Sequence, residues 1–363
     1  MRFKGYPSKT VITLAGDVTV QRRYYACPEC GTTRTPWDRW AGLESHHLTP
    51  STKRLAVLAG SSWSYDVASV RLKEFCGVRI SDQTIRRVTD STGAGAKCWL
   101  NASQAVGDSF RSAEGQAEFY TDGTCVNTRS GWREMRVGVF AKRPAGSPAS
   151  PEEWADRKLP SVTSRVAFGG ISDSATFGAT WERMVAHLGL EDEDELSVLA
   201  DGAKWIWRQV RERLPCGECV VDIFHVSEHL HECGRSLHGE QTPAAREWAE
   251  GCLEELIGEG PVAFLKRLEE ERRTQRSPRK RKALDGLMGY LRSNVDGLWY
   301  GSRLSRGLPI GSGLVEGACK TVIGRRLKCN GARWHVEAAD NMAALRALLY
   351  SDLWDTFWQH AAA

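Results

Sequence analysis

The chain has 363 residues, which at roughly 150 per domain predicts two or three domains. Its 49 Lys and Arg nearly balance 45 Asp and Glu, so the net charge of +4 excludes both a uniformly basic, histone-like chain and an acidic disordered one. At 41% hydrophobic and 26% charged residues it reads as a globular protein; eleven scattered cysteines, an odd number, exclude a disulfide framework. No apolar run approaches the roughly 20 residues of a membrane span, and the first residues, MRFKGYPSKT, lack a signal peptide's apolar stretch. The expectation is a soluble, cytoplasmic protein without a membrane partner.

Residues 8–26 read as a hairpin. Lys9 to Leu14 is β-branched and alternating, Ala15-Gly-Asp17 turns, and Val18 to Tyr25 returns. Cys27-Pro-Glu-Cys30-Gly follows, and a CxxCG knuckle after a strand is half of a zinc ribbon, which needs four ligands. Three readings stay open: the second cysteine pair lies upstream of Met1, His46 and His47 complete the site, or the knuckle holds no metal. Residues 51–92 have helical period, with Ala68, Leu72 and Phe75 at i, i+4 and i+7. Gly77 supplies a turn and Ser81 caps a second helix, carrying Ile85 and Val88 inward and Arg86 and Arg87 outward. Helix, glycine turn, basic helix is the layout of a DNA-binding helix-turn-helix, or simply of two core helices.

From residue 115 the period changes to two. Glu118 to Asp122, Trp132 to Phe140 and Ser164 to Ile171 read as strands, and Thr176 to Leu190 as a helix. Leu196 to Asp201 is a fourth strand, Trp205 to Leu214 a helix, and Cys219 to Phe224 a fifth strand. That order predicts an α/β fold with an RNase H-like core. Residues 226–300 read as a helical insertion, interrupted at the basic segment around Pro278. The domains expected are therefore 1–50 (hairpin and knuckle), 51–112 (helix-turn-helix region), 113–225 (first part of the core), 226–300 (insertion) and 301–363 (C-terminal helical part).

Charge is segregated along the chain. Nine basic residues lie between Lys266 and Lys282, and seven more between Arg303 and Arg333, where Glu316 is the one acid. The acids gather most densely in Glu191 to Glu195. Basic runs of this kind suit a polyanion such as nucleic acid, although each alone can be a solvated helix face. Two strands end in Asp-Gly, at Asp122 and Asp201, where a carboxylate would sit at the open edge of an α/β sheet. Glu316 follows a glycine-rich approach and opens a helix running through Arg326. Three carboxylates are what two-metal phosphoryl transfer requires, and their hard oxygens suit Mg²⁺ or Mn²⁺.

Six segments carry a family resemblance: Tyr24-Tyr-Ala-Cys-Pro-Glu-Cys-Gly, Tyr120-Thr-Asp-Gly-Thr, Gly131-Trp-Arg-Glu-Met-Arg-Val-Gly, Leu199-Ala-Asp-Gly-Ala-Lys-Trp-Ile-Trp, Asp222-Ile-Phe-His225, and Leu308 to Lys328. Together, and in this order over nearly the whole chain, they resemble bacterial insertion-sequence transposases of the ISKra group. The resemblance implies a DDE transposase with an RNase H-like core split by a helical insertion, and Asp122, Asp201 and Glu316 as its catalytic, metal-binding triad. It implies two Mg²⁺ or Mn²⁺ ions, a further zinc expectation at Cys27 and Cys30, and transposon-end and target DNA bound by a homo-oligomer. Asp222-x-x-His225 resembles the (Cys/Asp)-x-x-His signature of related transposases, which implies a supporting place near the catalytic edge. DNA contacts are expected from Arg86, Arg87, Lys320, Arg325, Arg326, Lys328, Arg333 and Trp334. The family's pattern commonly includes sequence before the hairpin, with another cysteine pair, so the resemblance implies that Met1 marks a shortened or mis-started chain. Cys216-Gly-Glu-Cys219 departs from the pattern; with His225, His229, His231 and Cys233 it suggests a metal cluster, but the gap is short for a zinc finger. The alternatives are a catalytically inactive DNA-binding relative and an RNase H-like nuclease without strand transfer.

Overall fold

The computed structural model describes residues 1–191, 196–329 and 331–361. Of the acid-rich run at Glu191 to Glu195, all but Glu191 lies outside the described residues. The chain divides into two compact units: Met1–Leu100, Val126–Trp132 and Thr321–Ala363 form the first, and Asn101–Cys125 with Arg133–Lys320 the second. The segment 301–363 is thus shared between them, with Glu316 in the second unit.

The first unit opens with β1 (Arg2–Gly5), β2 (Ser8–Thr13), β3 (Gly16–Gln21), β4 (Tyr24–Ala26) and β5 (Thr33–Arg34). β2 and β3 form the expected hairpin, but its return strand stops at Gln21; Tyr24–Ala26 pairs instead with β1 and β5. The break falls where Arg22 turns to a buried acid: its guanidinium donates to Asp38 at 3.2 Å, and Lys9 reaches the same carboxylate at 3.4 Å. Asp38 lies on the short α1 (Pro36–Trp40). Next come α2 (Pro50–Ser62), α3 (Tyr65–Cys76) and α4 (Asp82–Ala102). Gly77 ends α3 with φ +68°, a conformation open to glycine without a Cβ penalty. The Ser81 hydroxyl accepts from the Thr84 amide at 3.3 Å, capping α4 as expected. Ala68 and Leu72 are buried, but Phe75, expected on the same face, is 68% exposed and rests beside Trp63 and Arg71.

The second unit begins with α5 (Gln104–Arg111) and is built on a five-stranded sheet. Its strands are β6 (Gln116–Thr128), β7 (Gly131–Arg143), β8 (Ser164–Gly170), β9 (Leu196–Ala200) and β10 (Cys216–Val221). Spatially they run β10-β9-β6-β7-β8. β9 is parallel to both β6 and β10, whereas β7 and β8 are antiparallel to each other. β9, Leu-Ser-Val-Leu-Ala, is buried at every residue, as a strand covered on both faces must be. α6 (Ser174–Leu188), capped by Asp173 and ended by Gly189 at φ +71°, lays Phe177 and Trp181 against Phe119 and Phe168. α7 (Lys204–Arg213) links β9 to β10.

Beyond β10 the unit is helical: α8 (Ile223–His238), α9 (Pro243–Thr274), α10 (Pro278–Ser293) and α11 (Tyr300–Ser305). α9 is two helices joined at Gly260-Pro261; Gly260 sits at φ +81° and Pro261 offers no amide to continue the ladder. The basic segment breaks the chain after Thr274, with Pro278 opening α10. α12 (Gly313–Ala318) passes into a π-helical stretch, Cys319–Gly324, and α13 (Arg325–Leu327) follows. α14 (Val336–Tyr350) and α15 (Trp354–Ala361) complete the first unit. No helix among the described residues is long and apolar enough to cross a membrane.

Candidate active site

Backbone register assembles the site. Thr121 of β6 pairs with Ala200 of β9, and Ala200 pairs with Val221 of β10. The next residue on each strand is an aspartate, so Asp122, Asp201 and Asp222 stand side by side at the C-terminal edge of three adjacent parallel strands. This edge is where α/β sheets bind their ligands. β6 itself does not end at Asp122, as the sequence suggested; it continues to Thr128, and only its pairing with β9 stops there.

Asp122 accepts a hydrogen bond from the Gly123 amide at 2.6 Å, and the Cys319 thiol lies 3.7 Å from its other oxygen. Burial pushes its carboxyl above the ordinary 3.8, and the nearby charge of Asp201 pushes the same way; the Gly123 amide, Cys319 and His225 pull against them. Asp201 accepts from the Ala203 amide at 2.9 Å, an Asx turn that leads into α7. The glycine after each acid serves close approach. A Cβ on Gly123 would lie 2.6 Å from a Glu134 carboxylate oxygen, and one on Gly202 would lie 2.6 Å from the Tyr290 ring.

Asp222 is fully buried and caps α8, accepting from the Phe224 amide at 3.0 Å. Its other oxygen accepts from the Ser312 hydroxyl at 2.5 Å, and Ile223 donates to the Ile310 carbonyl at 3.1 Å. Ser312 is the residue that opens α12. Asp222 therefore anchors the glycine-rich approach to Glu316. His225, one turn into α8, is partly exposed, 3.4 Å from Glu228.

Glu316 itself faces outward. Its carboxylate is 3.3 Å from the Lys320 ammonium, one turn along, and the two side chains are 43% and 78% exposed. Cys319, three residues after Glu316, is the group from this helix that meets Asp122. Among the described residues no three Asp, Glu, His or Cys side chains converge as a metal-holding group. The donor chemistry still fits a hard dication at Asp122 and Asp201: two oxygen ligands whose mutual repulsion a cation would relieve. Glu316 is paired through one carboxylate oxygen with Lys320 and does not converge with the two aspartates into a three-residue group. At the knuckle, Cys30 is exposed and hydrogen-bonded to Thr32 at 3.1 Å, which with Cys27 brings its thiol down to about 7. His46 is buried, and burial together with Lys53 and Lys9 lowers it to about 4; His47 bonds the Thr10 carbonyl at 3.1 Å. Cys216 and Cys219 lie 3.4 Å apart on β10.

The expected DNA-contacting residues divide. Arg86, Arg87, Arg325, Lys328 and Arg333 are exposed, and Lys320 is exposed but paired with Glu316. Arg326 and Trp334 are buried at 3% and 7%, and the structure corrects their assignment to a DNA surface. The Arg326 guanidinium lies 4.8 Å from both the Tyr65 and Trp334 rings and donates to the Gly60 carbonyl, while the Trp334 indole donates to the Leu327 carbonyl. Arg303, counted in the second basic run, is buried as well, held by Glu218, Ser197 and the Pro309 carbonyl. Sequence reading missed Cys319, Ser312 and Tyr290. Cys319 and Ser312 flank Glu316 within one motif, at helical spacings that could have marked them; Tyr290, 89 positions from Asp201, left no such signal. No protein-family model matches the chain, and no curated protein matches it.

Proposed function

We propose that this chain is a DDE-type DNA transposase that cleaves transposon ends and joins the 3′-OH to target DNA. The observation that carries the reading is the pair Asp122 and Asp201, in register on adjacent parallel strands and close enough that one charge raises the other's pKa. The strand order β10-β9-β6-β7-β8, with three parallel strands and an antiparallel pair at one edge, supports an RNase H-like core for the same unit. The helices from α8 to α11 stand between β10 and Glu316 in sequence, as an insertion would.

In this reading Asp122 and Asp201 hold Mg²⁺ or Mn²⁺, and Glu316 exchanges its Lys320 contact for the same site. Bound dications would supply Lewis-acid stabilisation of the attacking and leaving oxygens at the scissile phosphate. Lys320, once released, is a cation placed one helical turn from Glu316 and suited to phosphate. Asp222 and Ser312 fix the start of the Glu316 helix, and Cys319 packs that helix on Asp122. Arg86 and Arg87 on α4, the second helix of the helix-turn-helix pattern, provide duplex contacts.

Divalent-metal-dependent nicking of an oligonucleotide carrying the terminal inverted repeat, followed by a strand-joining assay, tests the proposal. Nicking and joining support it. Nicking alone supports the nuclease alternative, and tight binding without nicking supports the inactive relative.

A further inference from the structure

α10 carries an unusual face. Arg279, Lys282, Gly286, Gly289, Tyr290 and Ser293 fall on one side at helical spacing, while Leu284, Leu287, Met288 and Leu291 are buried on the other. Among the described residues the two glycines meet nothing within 4 Å where a Cβ would stand, so this side is a shallow, open trough. A surface helix rarely keeps glycine at two such positions, since each costs about 1 kcal/mol relative to alanine. Three nearby cations are neutralised, Arg272 by Asp285, Arg292 by Glu269 and Arg267 by Glu255, whereas Arg273, Arg276, Lys280 and Arg281 form no ion pair among the described residues and keep the segment basic. Arg279 and Lys282 have no ion-pair partner among the described residues.

The trough runs into a cavity of about 570 Å³ between α7 and α10, beside Gly202 and hence Asp201. That volume lies within the roughly 300–1,000 Å³ of ligand sites. Lys204 and Arg211 line it from α7, Ser293 and Asn294 from the end of α10, and the rings of Trp207 and Tyr290 supply its apolar wall. The Trp207 indole nitrogen and the Tyr290 hydroxyl are both buried, with no hydrogen-bond partner among the described residues. The His229 ring packs against Tyr290 at a tilt of 38°, with ring centroids 3.9 Å apart.

We propose that the α10 trough and the α7–α10 cavity form a track for an unpaired DNA strand, delivering one unstacked nucleotide beside Asp201. Lys204, Arg211, Arg279 and Lys282 contact phosphates, while Trp207 and Tyr290 take the base. From Lys282 to Ser293 the helix rises about 16 Å, room for about five nucleotides at the ~3.4 Å stacked spacing. A paired strand does not suit the cavity, because its bases are held in the duplex stack by their partners and cannot turn out onto Trp207 and Tyr290. The track rests on the DNA-transposase reading for its substrate, but not on metal or cleavage for its measurement.

The test is fluorescence anisotropy of the full chain in EDTA with labelled 12-nucleotide oligothymidylate and, separately, a 12-base-pair duplex. Gly289→Glu places a carboxylate in the trough and improves helix propensity, so the variant folds, as circular dichroism will verify. It should weaken oligothymidylate binding at least tenfold and change duplex binding less than twofold. Tyr290→Ala should cost about 5- to 150-fold on the single strand, as expected for one stacked base. Lys204→Ala with Arg211→Ala should flatten the single-strand slope of log affinity against log salt by about 1.4, at ~0.7 per phosphate contact. Unchanged single-strand affinity in Gly289→Glu, or equal losses on both ligands, overturns the track. Wild-type protein that binds the oligothymidylate through Tyr290 yet never nicks a transposon end keeps the track and sinks the catalytic reading instead.

Discussion

Removing the Asp222 carboxyl should destabilise the second unit, and the structure gives the scale. In Asp222→Ala the α8 N-cap is lost, at about 1 kcal/mol, because the Phe224 amide loses its acceptor. The buried Ser312 hydroxyl is left without its acceptor, at about 1–3 kcal/mol more. The total is about 2–4 kcal/mol. In a unit of about 200 residues, where each kcal/mol shifts Tm by roughly 2–4 °C, that is a fall of about 4–16 °C. Asp222→Asn keeps a capping oxygen and should lose less than half as much. Ser312→Ala removes the donor with the acceptor still capping α8, so the double variant should be less destabilised than the sum, with a coupling of about 0.5–3 kcal/mol. Differential scanning calorimetry of the four proteins measures this cycle. Strict additivity, or an Asp222→Ala protein within about 0.5 kcal/mol of wild type, would show that the carboxyl does not anchor the approach to Glu316.

Asp122→Asn, Asp201→Asn and Glu316→Gln should each abolish end cleavage while binding to end DNA changes less than about threefold, since affinity comes from Lys and Arg contacts to phosphate; full cleavage by any of them in a gel assay refutes that residue's role. Burial and Asp201 raise the folded-state pKa of Asp122, so the stability associated with its protonated form is complete below the unfolded value near 3.8 and is lost as pH rises through the higher folded value. Asp122→Asn should therefore raise Tm at pH 7 and lose that advantage in thermal melts toward pH 3, and Mg²⁺ should raise the melting point of wild type more than that of the variant. Arg326→Ala should lower Tm without altering the salt slope of DNA binding, because its guanidinium lies between Tyr65 and Trp334; Arg325→Ala with Lys328→Ala should flatten the duplex slope by about 1.8, at ~0.9 per phosphate contact. The chain should purify with well under one zinc, since a two-thiolate site lacks a closed tetrahedral shell; one tightly held zinc that disappears in Cys27→Ser would show the site complete.

Local chemistry made much of this protein legible in its sequence. The alternation of β2, the Ser81 cap, the Gly77 stop and the Pro278 helix start each depend on a few neighbouring residues, and they stand where the sequence puts them. Asp122 and Asp201 were visible because an acid followed by glycine closes a recognisable apolar run. Tertiary packing decided the rest. That β9 lies between β6 and β10, setting Asp122, Asp201 and Asp222 abreast, follows from long-range pairing that no local pattern encodes. Whether an arginine meets solvent or rings is likewise settled by what packs across from it, which is why Arg325 is exposed and Arg326 buried although they are adjacent in the chain. The glycine after Asp201 read as a turn, and only the folded chain brings the Tyr290 ring to within 2.6 Å of where a side chain would stand. Propensity acts between neighbours in sequence; steric exclusion and burial act between neighbours in space, and Tyr290 is a neighbour of Gly202 only once the unit has folded.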